Sequence, residues 1–458
     1  MVESLRTAMS APDLRRRILF TIFLLVVYRA VANIPVPGVN LTAWLAFTSQ
    51  AGGSNQIVGF LDLLSGGAVR NFSVMAMGVY PYITASIIIQ LLTPIVPQLQ
   101  ELSQEGESGR NKISKLTYYI TVPLALLQAI GQIRLIGFSL GGGGADGLAT
   151  IMPNFGLTAE TILPTAMTLM AMLGGTMFAL WLGEMITEDG IGQGISLIIF
   201  AGIVSGILPG LASLFALPDQ SARIFSFISF LIISVVTIFV IVIVQEGQRR
   251  IPVQYGRRVR GRKVYQGQSS YIPLKVNTAG MIPIIFASSI LIFPPLLAGL
   301  FISGEGGIVD GIATTVASFS QNQDPSNFGF YAYWGIFFIL VVGFTYFYTD
   351  VMVRQQNIPQ TLQRQGGFIP GIRPGKRTER YVMSVVRRIT FAGAVFLGTV
   401  AILPGIMQFL GFVLGIPGLE RSALVINGSG MIIVVGVVID TMRQLEAQLT
   451  MRQYEGFF

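Results

Sequence analysis

The chain contains neither cysteine nor histidine. Disulfides, thiolate nucleophiles and metal or haem sites built on those ligands are thereby excluded, as is imidazole acid–base chemistry. Charge is scarce: Asp, Glu, Lys and Arg supply 11% of 458 residues, against roughly a quarter in soluble domains. No Gly-x-x-x-x-Gly-Lys-Ser/Thr run occurs, so there is no phosphate-cradling loop for nucleotide hydrolysis. An enzyme is not expected, nor is any cofactor. What fills the chain is apolar: 52% of residues are hydrophobic and the mean hydropathy is +0.67. That balance specifies a polytopic membrane protein.

A bilayer core takes about 20 mostly apolar residues per helix. Ten such spans are expected: Ile18–Ile34, Ser73–Val96, Leu116–Ile133, Ile162–Leu182, Ile195–Phe215, Ile224–Val244, Val276–Ile302, Tyr331–Thr349, Ile389–Leu410 and Ala423–Ile439. The N-terminus lacks a small-residue cleavage site, so the first span is expected to be retained. An even count puts both termini on one side. That side carries 25 of the 30 Lys and Arg residues, the far side only Arg70, Arg134, Arg223 and Arg421, and Arg29 lies within span one. The positive-inside bias therefore makes the termini and basic loops cytoplasmic. Five spans in each half, residues 1–220 and 221–458, would give two inverted five-helix halves if the chain is internally duplicated. The alternative is a ten-helix bundle without an internal axis.

Spans two to ten hold no ionisable Asp, Glu, Lys or Arg. Ion-coupled transporters and intramembrane hydrolases need such groups at depth. A carboxylate-coupled pump and a two-Asp protease are excluded on this ground. A passive channel or a secondary transporter or facilitator of a neutral small solute remains.

Two loops stand out. The segments 245–275 and 350–388 each carry eight Lys or Arg residues, more than topology alone requires. The first alternates apolar and polar residues about Gly261, as a β-hairpin would. Arg257, Arg258, Arg260, Arg262 and Lys263 there suit an anionic, phosphate-rich partner. Between spans one and two, Ile57-Val58-Gly59-Phe60-Leu61-Asp62-Leu63-Leu64-Ser65-Gly66-Gly67 is apolar yet too short to span. It reads either as a re-entrant piece buried in protein or as an interfacial helix.

These features, in order along nearly the whole chain, resemble the SecY family, the channel-forming subunits of Sec protein translocons. The resemblance is carried by Ile34-Pro35-Val36-Pro37-Gly38, by Val79-Tyr80-Pro81-Tyr82-Ile83-Thr84-Ala85-Ser86, and by Glu105-Gly106-Glu107-Ser108-Gly109-Arg110. Further along come Trp181-Leu182-Gly183-Glu184, Gly192-Gln193-Gly194-Ile195-Ser196, Pro273-Leu274-Lys275-Val276-Asn277, Gly280-Met281-Ile282-Pro283, Phe368-Ile369-Pro370-Gly371-Ile372-Arg373-Pro374-Gly375 and Gln453-Tyr454-Glu455.

The resemblance implies a central pore that carries unfolded secretory polypeptides across the membrane and releases membrane proteins sideways into lipid. Residues 57–71 would be its plug, with Phe60, Leu61, Leu63, Leu64, Gly66 and Gly67 in it. Val79, Ile83, Ile195, Ile199, Ile282, Ile285 and Ile433 would ring the constriction, where aliphatic side chains exclude water and ions by dewetting. Thr84, Gln90 and Asn277 would lie along a lateral gate between spans two and three and spans seven and eight. The basic loops, Arg373 included, would dock the ribosome through its RNA and the SecA motor ATPase. Small membrane subunits SecE and SecG, signal peptides, nascent chains and membrane lipids complete the implied partners, and the bacterial plasma membrane the implied location.

Three features depart from the pattern. The loop Thr187-Glu188-Asp189-Gly190 is purely acidic, position 79 is Val rather than Ile, and the sequence given stops at Phe457-Phe458, without the basic tail of some relatives.

Overall fold

The computed structural model describes residues 9–44, 65, 67–140, 146–156, 158–215, 220–255, 258–260, 263–265, 269–302, 307–319, 325–355, 358–373, 375–415 and 428–455. Among these, eight helices are long and apolar enough to cross a membrane. They are α4 (Glu107–Leu140), α6 (Ile162–Asp189), α7 (Gly194–Phe215), α8 (Gln220–Glu246), α9 (Ile282–Phe301), α11 (Phe328–Gln355), α13 (Lys376–Ala401) and α15 (Gly428–Glu455). The first two expected spans appear as α1 (Pro12–Val31) and α2 (Tyr80–Leu92). Neither has the length and composition of a full span alone. Asp13, Arg15, Arg16, Arg17 and Arg29 charge α1, and α2 has only 13 residues.

Three expected boundaries are corrected. Span two is not one helix over Ser73–Val96: residues 73–79 turn, and the helix starts at Tyr80. Gly78, at a φ of 51°, breaks the helical path there, and Pro81 fits a first helical turn. At its other end Pro94 and Pro97 bend α2 by 104° into α3 (Pro97–Gln104). Span nine likewise ends at Ala401, and Pro404 starts a separate helix, α14 (Leu403–Leu414). Span seven's helix starts at Ile282 rather than Val276; the tenth helix is described from Gly428, and Ala423 lies outside the described residues.

The helices share one apolar core. It runs from Leu24 and Tyr28 on α1 through Met172 and Leu180 on α6 to Ile432 and Ile433 on α15. Apolar side chains on the outward faces stay exposed, most plainly on α8, where Ile228, Val235 and Phe239 lie on the surface. A helix with such a coat in a chain this apolar meets lipid rather than water. Two short helices, α5 (Asp146–Ile151) and α10 (Ile308–Phe319), and α12 (Ile358–Arg364) lie between the long ones.

The two basic loops are not loose. Strand β1 (Gln248–Tyr255) pairs antiparallel with β4 (Ser269–Lys275), from Gln248 opposite Lys275 to Gln254 opposite Ser269. On its other edge β1 pairs with β5 (Gly367–Phe368), placing Tyr255 opposite Gly367. A β-carbon at Gly367 would lie 3.0 Å from the Tyr255 ring and 3.2 Å from Val253, so glycine is what the close pairing allows. Beneath the sheet, Ile251, Val253, Leu274, Leu362, Ile369 and Val382 form a second core joining both loops. The expected hairpin is present: β2 (Arg258–Arg260) pairs with β3 (Lys263–Tyr265), Arg260 opposite Lys263.

One prediction follows from that second core. Ile251→Ala should destabilise the small sheet by about 2–5 kcal/mol. Amide hydrogen exchange should then speed up in β1, β4 and β5 together and remain unchanged in α6. Loss of protection confined to the first loop would mean that the two loops fold separately.

Candidate functional site

The residues expected at the constriction lie on four helices, three of them at or near a helix start. Val79 immediately precedes α2 and Ile83 sits on its first turn; Ile195 and Ile199 lie near the start of α7. Ile282 and Ile285 open α9, and Ile433 lies early in α15. Val79, Ile83, Ile199, Ile285 and Ile433 are buried in the shared core, and Ile195 and Ile282 pack against it. Aliphatic packing of this kind is dry and leaves no polar group unpaired.

A cavity of about 230 Å³ lies at the same helix ends. Gln193 and Ser196, which bracket Ile195, line it together with Met281, which precedes Ile282. Val437, Asp440 and Arg443 of α15 complete it, Val437 one turn beyond Ile433. A polar mouth thus sits directly against the aliphatic cluster. Arg443 donates to Glu246 at the end of α8 over 2.7 Å, fastening the rim of that mouth.

On the far side the described end of the expected plug, with the stretch that follows it, is strapped down. The Tyr28 hydroxyl donates to the Ser65 carbonyl, and the Trp44 indole donates to the Arg70 carbonyl over 2.7 Å. Phe72 adopts a left-handed conformation (φ 41°), which costs a non-glycine residue about 1–2 kcal/mol. It is held edge-on to Trp44 with ring centres 5.1 Å apart. The Ile34-Pro35-Val36-Pro37-Gly38 motif pairs with this segment: Val36 N–H donates to the Phe72 carbonyl and Val74 N–H to the Ile34 carbonyl, both over 3.0 Å. Gly67 (φ 84°) passes so close to α1 and α7 that a β-carbon would lie 2.6 Å from Arg29 Nη1 and 3.2 Å from Ser205 Oγ. Phe60, Leu61, Leu63, Leu64 and Gly66 lie outside the described residues.

The expected gate residues separate. Thr84 is buried on α2, donates to the Tyr80 carbonyl over 3.0 Å, and accepts from Gln128 Nε2 of α4 over 3.2 Å. Gln90 instead donates within α2, to Ser86 Oγ over 3.1 Å. Asn277 lies in the turn ahead of α9 and donates to the Gly280 carbonyl over 3.0 Å. Sequence reasoning missed the contact that does cross. The Tyr80 hydroxyl donates to the Ser289 carbonyl of α9 over 3.1 Å, while Gln128 joins α4 to α2 on one side of the seam. Gln128 interrupts the run Leu126-Leu127-Gln128-Ala129, a signal that was legible, since a buried amide in an apolar span needs a partner. Its Oε1, Asn277 Oδ1 and Ser289 Oγ have no hydrogen-bond partner among the described residues. The seam between α2, α4 and α9 therefore carries polar groups with unused capacity.

Of the basic residues, Arg258, Arg260 and Lys263 fall on the β2–β3 ribbon, with Arg260 opposite Lys263. Arg373 is exposed beyond β5, and Thr378 Oγ1 donates to its carbonyl over 3.1 Å. Arg257 and Arg262 lie outside the described residues. Arg250 stacks over the Tyr271 ring at 4.8 Å, on the outer surface of the sheet.

Comparison with known proteins bears on all of these parts. Residues 73–442 match the family model described as SecY. The protein translocase subunit SecY of Halalkalibacterium halodurans is 41% identical, with all of both chains covered. That of Thermotoga maritima is 40% identical over all of this chain and 98% of its own. Among solved structures, Sec61 in the canine ribosome–channel complex from the endoplasmic reticulum superposes with a TM-score of 0.61 at 20% identity, covering 94% of this chain and 91% of its own. A structure concerned with the SecY plug domain, which stabilises the closed channel and maintains a membrane seal, gives 0.60 at 18% identity with the same coverage. With a family model matching most of its length and full-length relatives at 40% identity, this multi-pass membrane chain belongs to the SecY family.

Proposed function

We propose that this chain is the protein-conducting channel of a Sec translocon, passing unfolded polypeptides through its centre and releasing apolar segments sideways. The observation that carries the reading is a cavity lined by Gln193, Ser196, Met281 and residues of α15, beside a buried core that takes in the aliphatic residues of all four helices. Such a cluster parts for a polypeptide and closes again without stranding polar groups, while its apolar walls exclude ions. Val79, Ile83, Ile195, Ile199, Ile282, Ile285 and Ile433 form the constriction in this reading, and the plug occupies residues 57–71 on the far side. The gate is the seam of α2 and α4 against α9, with Tyr80 bonding across it and Thr84 and Gln128 tying its α2 and α4 side together. No nucleotide-binding Gly-x-x-x-x-Gly-Lys-Ser/Thr run occurs in the sequence, so in this reading the energy for transport comes from a partner.

The basic side is cytoplasmic, in the plasma membrane of a bacterium, and the two loops joined by β1 and β5 form the docking platform. The ribbon bearing Arg258, Arg260 and Lys263 presents cations to ribosomal RNA, and with Arg373 to the SecA motor. Small subunits of the SecE and SecG kind clamp the two halves, 1–220 and 221–458, near Pro218–Gln220.

Two experiments test this. Replacing Ile83, Ile199 and Ile285 together with Ser should open a steady ion conductance in planar bilayers, where the parent channel stays closed. Mutant channels as ion-tight as the parent would move the pore elsewhere. Reversing charge at Arg258, Arg260 and Arg373 should weaken ribosome binding about 10-fold or more, with a shallower dependence on salt, while the chain still inserts and folds. Unchanged binding of ribosome and motor would reduce the loops to signals of orientation.

A further inference from the structure

We infer that Arg134 latches the far end of the gate seam and thereby sets how strong a signal segment must be to open it. The inference rests on the channel reading above and adds a residue to its gate. Arg134 lies near the far end of α4 and donates Nη1 to the Leu300 carbonyl in the last turn of α9, over 2.8 Å. That carbonyl is one of the four that a helix C-terminus leaves without an intrahelical donor. The cap residue Ile302 is extended (φ −74°, ψ 106°), so α9 does not end in the left-handed turn that commonly satisfies such groups. A guanidinium there also meets the negative end of the helix dipole.

The latch sits where the two helices touch most closely. A β-carbon on Gly131 would lie 2.3 Å from the Leu296 carbonyl oxygen, and one on Gly299 would lie 2.8 Å from the Gly131 oxygen. Backbone meets backbone one turn from the Arg134 bond. A hydrogen bond of this length does not survive a separation of more than about 1 Å, so the contact belongs to the closed seam alone. Arg134 is also one of only four Lys or Arg residues in the far-side segments, so it stands against the charge bias of the chain. At the other end of α9, Asn277 is engaged within its own turn and does not tie the seam. The seam is fastened at its far end, and parting begins from the basic side. A contact made only in the closed state shifts the population toward it, and the incoming apolar segment must overcome that bias.

The test uses the complex purified from membranes and reconstituted into vesicles. Translocation rates are compared for one substrate with its intact apolar signal and for the same substrate with a shortened signal. The ratio of the two rates should fall roughly tenfold or more in Arg134→Ala, through faster movement of the shortened-signal substrate, as loss of one charge-assisted bond implies. Arg134→Lys, which keeps the cation, should restore most of the ratio. Gly131→Ala wedges the same contact while leaving Arg134 in place, and should lower the ratio too, so the inference stays testable if Arg134→Ala fails to accumulate. An unchanged ratio in these variants overturns the latch, as does a slower intact substrate at unchanged ratio, the mark of a merely structural role. The parent rate on the intact substrate tests the channel reading separately.

Discussion

Inside a bilayer, burying apolar surface gives one helix no reason to prefer another, because lipid tails are as apolar as leucine. Association rests instead on close backbone approach and on hydrogen bonds between helices. The packing of α9 on α2 and α4 uses both. Gly131 and Gly299 bring backbones into contact, Tyr80 bonds across to the Ser289 carbonyl, and Gln128 ties α4 to Thr84. The glycine approaches and the Tyr80 bond close the cleft between the two sets of helices. The proposed constriction depends on them, since Val79 and Ile83 come from the α2 side and Ile282 and Ile285 from α9. A seam built from a handful of polar contacts holds firmly when shut and has little to lose when it parts.

The same economy explains why the seam is not fully satisfied. Buried amide and hydroxyl groups with spare capacity, such as Gln128 Oε1 and Ser289 Oγ, are costly in a static apolar core. In a seam that opens, they are groups that can be re-paired with whatever enters. Gln132 shows the graded character of these contacts, reaching the Ala76 carbonyl only at 3.5 Å.

Much of this was legible in the sequence, and what was not has physical causes. The apolar runs located the helices because hydropathy reports burial in lipid. It says nothing about pitch, so Ser73–Val79 was read as helix although Gly78 and Pro81 lay in view. Pro404, inside a continuous apolar run, was passed over for the same reason. The hairpin was visible because its alternation is local, with Val259 between Arg258 and Arg260 and Val264 between Lys263 and Tyr265. The β1–β5 pairing was invisible, because it joins Gln254 to Phe368 across more than a hundred residues through two positions with no local signature. The polar gate shows the same limit. Gln128 was conspicuous as a lone amide in an apolar run, but its partner Thr84 lies on another helix. Asn277 and Gln90, chosen through family resemblance, spend their bonds locally.

The β1–β4 ladder has a mechanical consequence. Strand β1 starts two residues after α8 ends at Glu246, and β4 ends at Lys275, joined through Val276, whose N–H donates to the Gly247 carbonyl over 2.8 Å. Seven facing pairs make a stiff two-stranded shaft roughly 23 Å long. Its far end carries the cationic ribbon, and its near end is rooted in α8 and, a few residues on, in α9. The shaft is therefore a lever arm whose fulcrum is the membrane surface. A load that tilts the ribbon would bear first on the roots of the shaft, the end of α8 and the turn leading into α9.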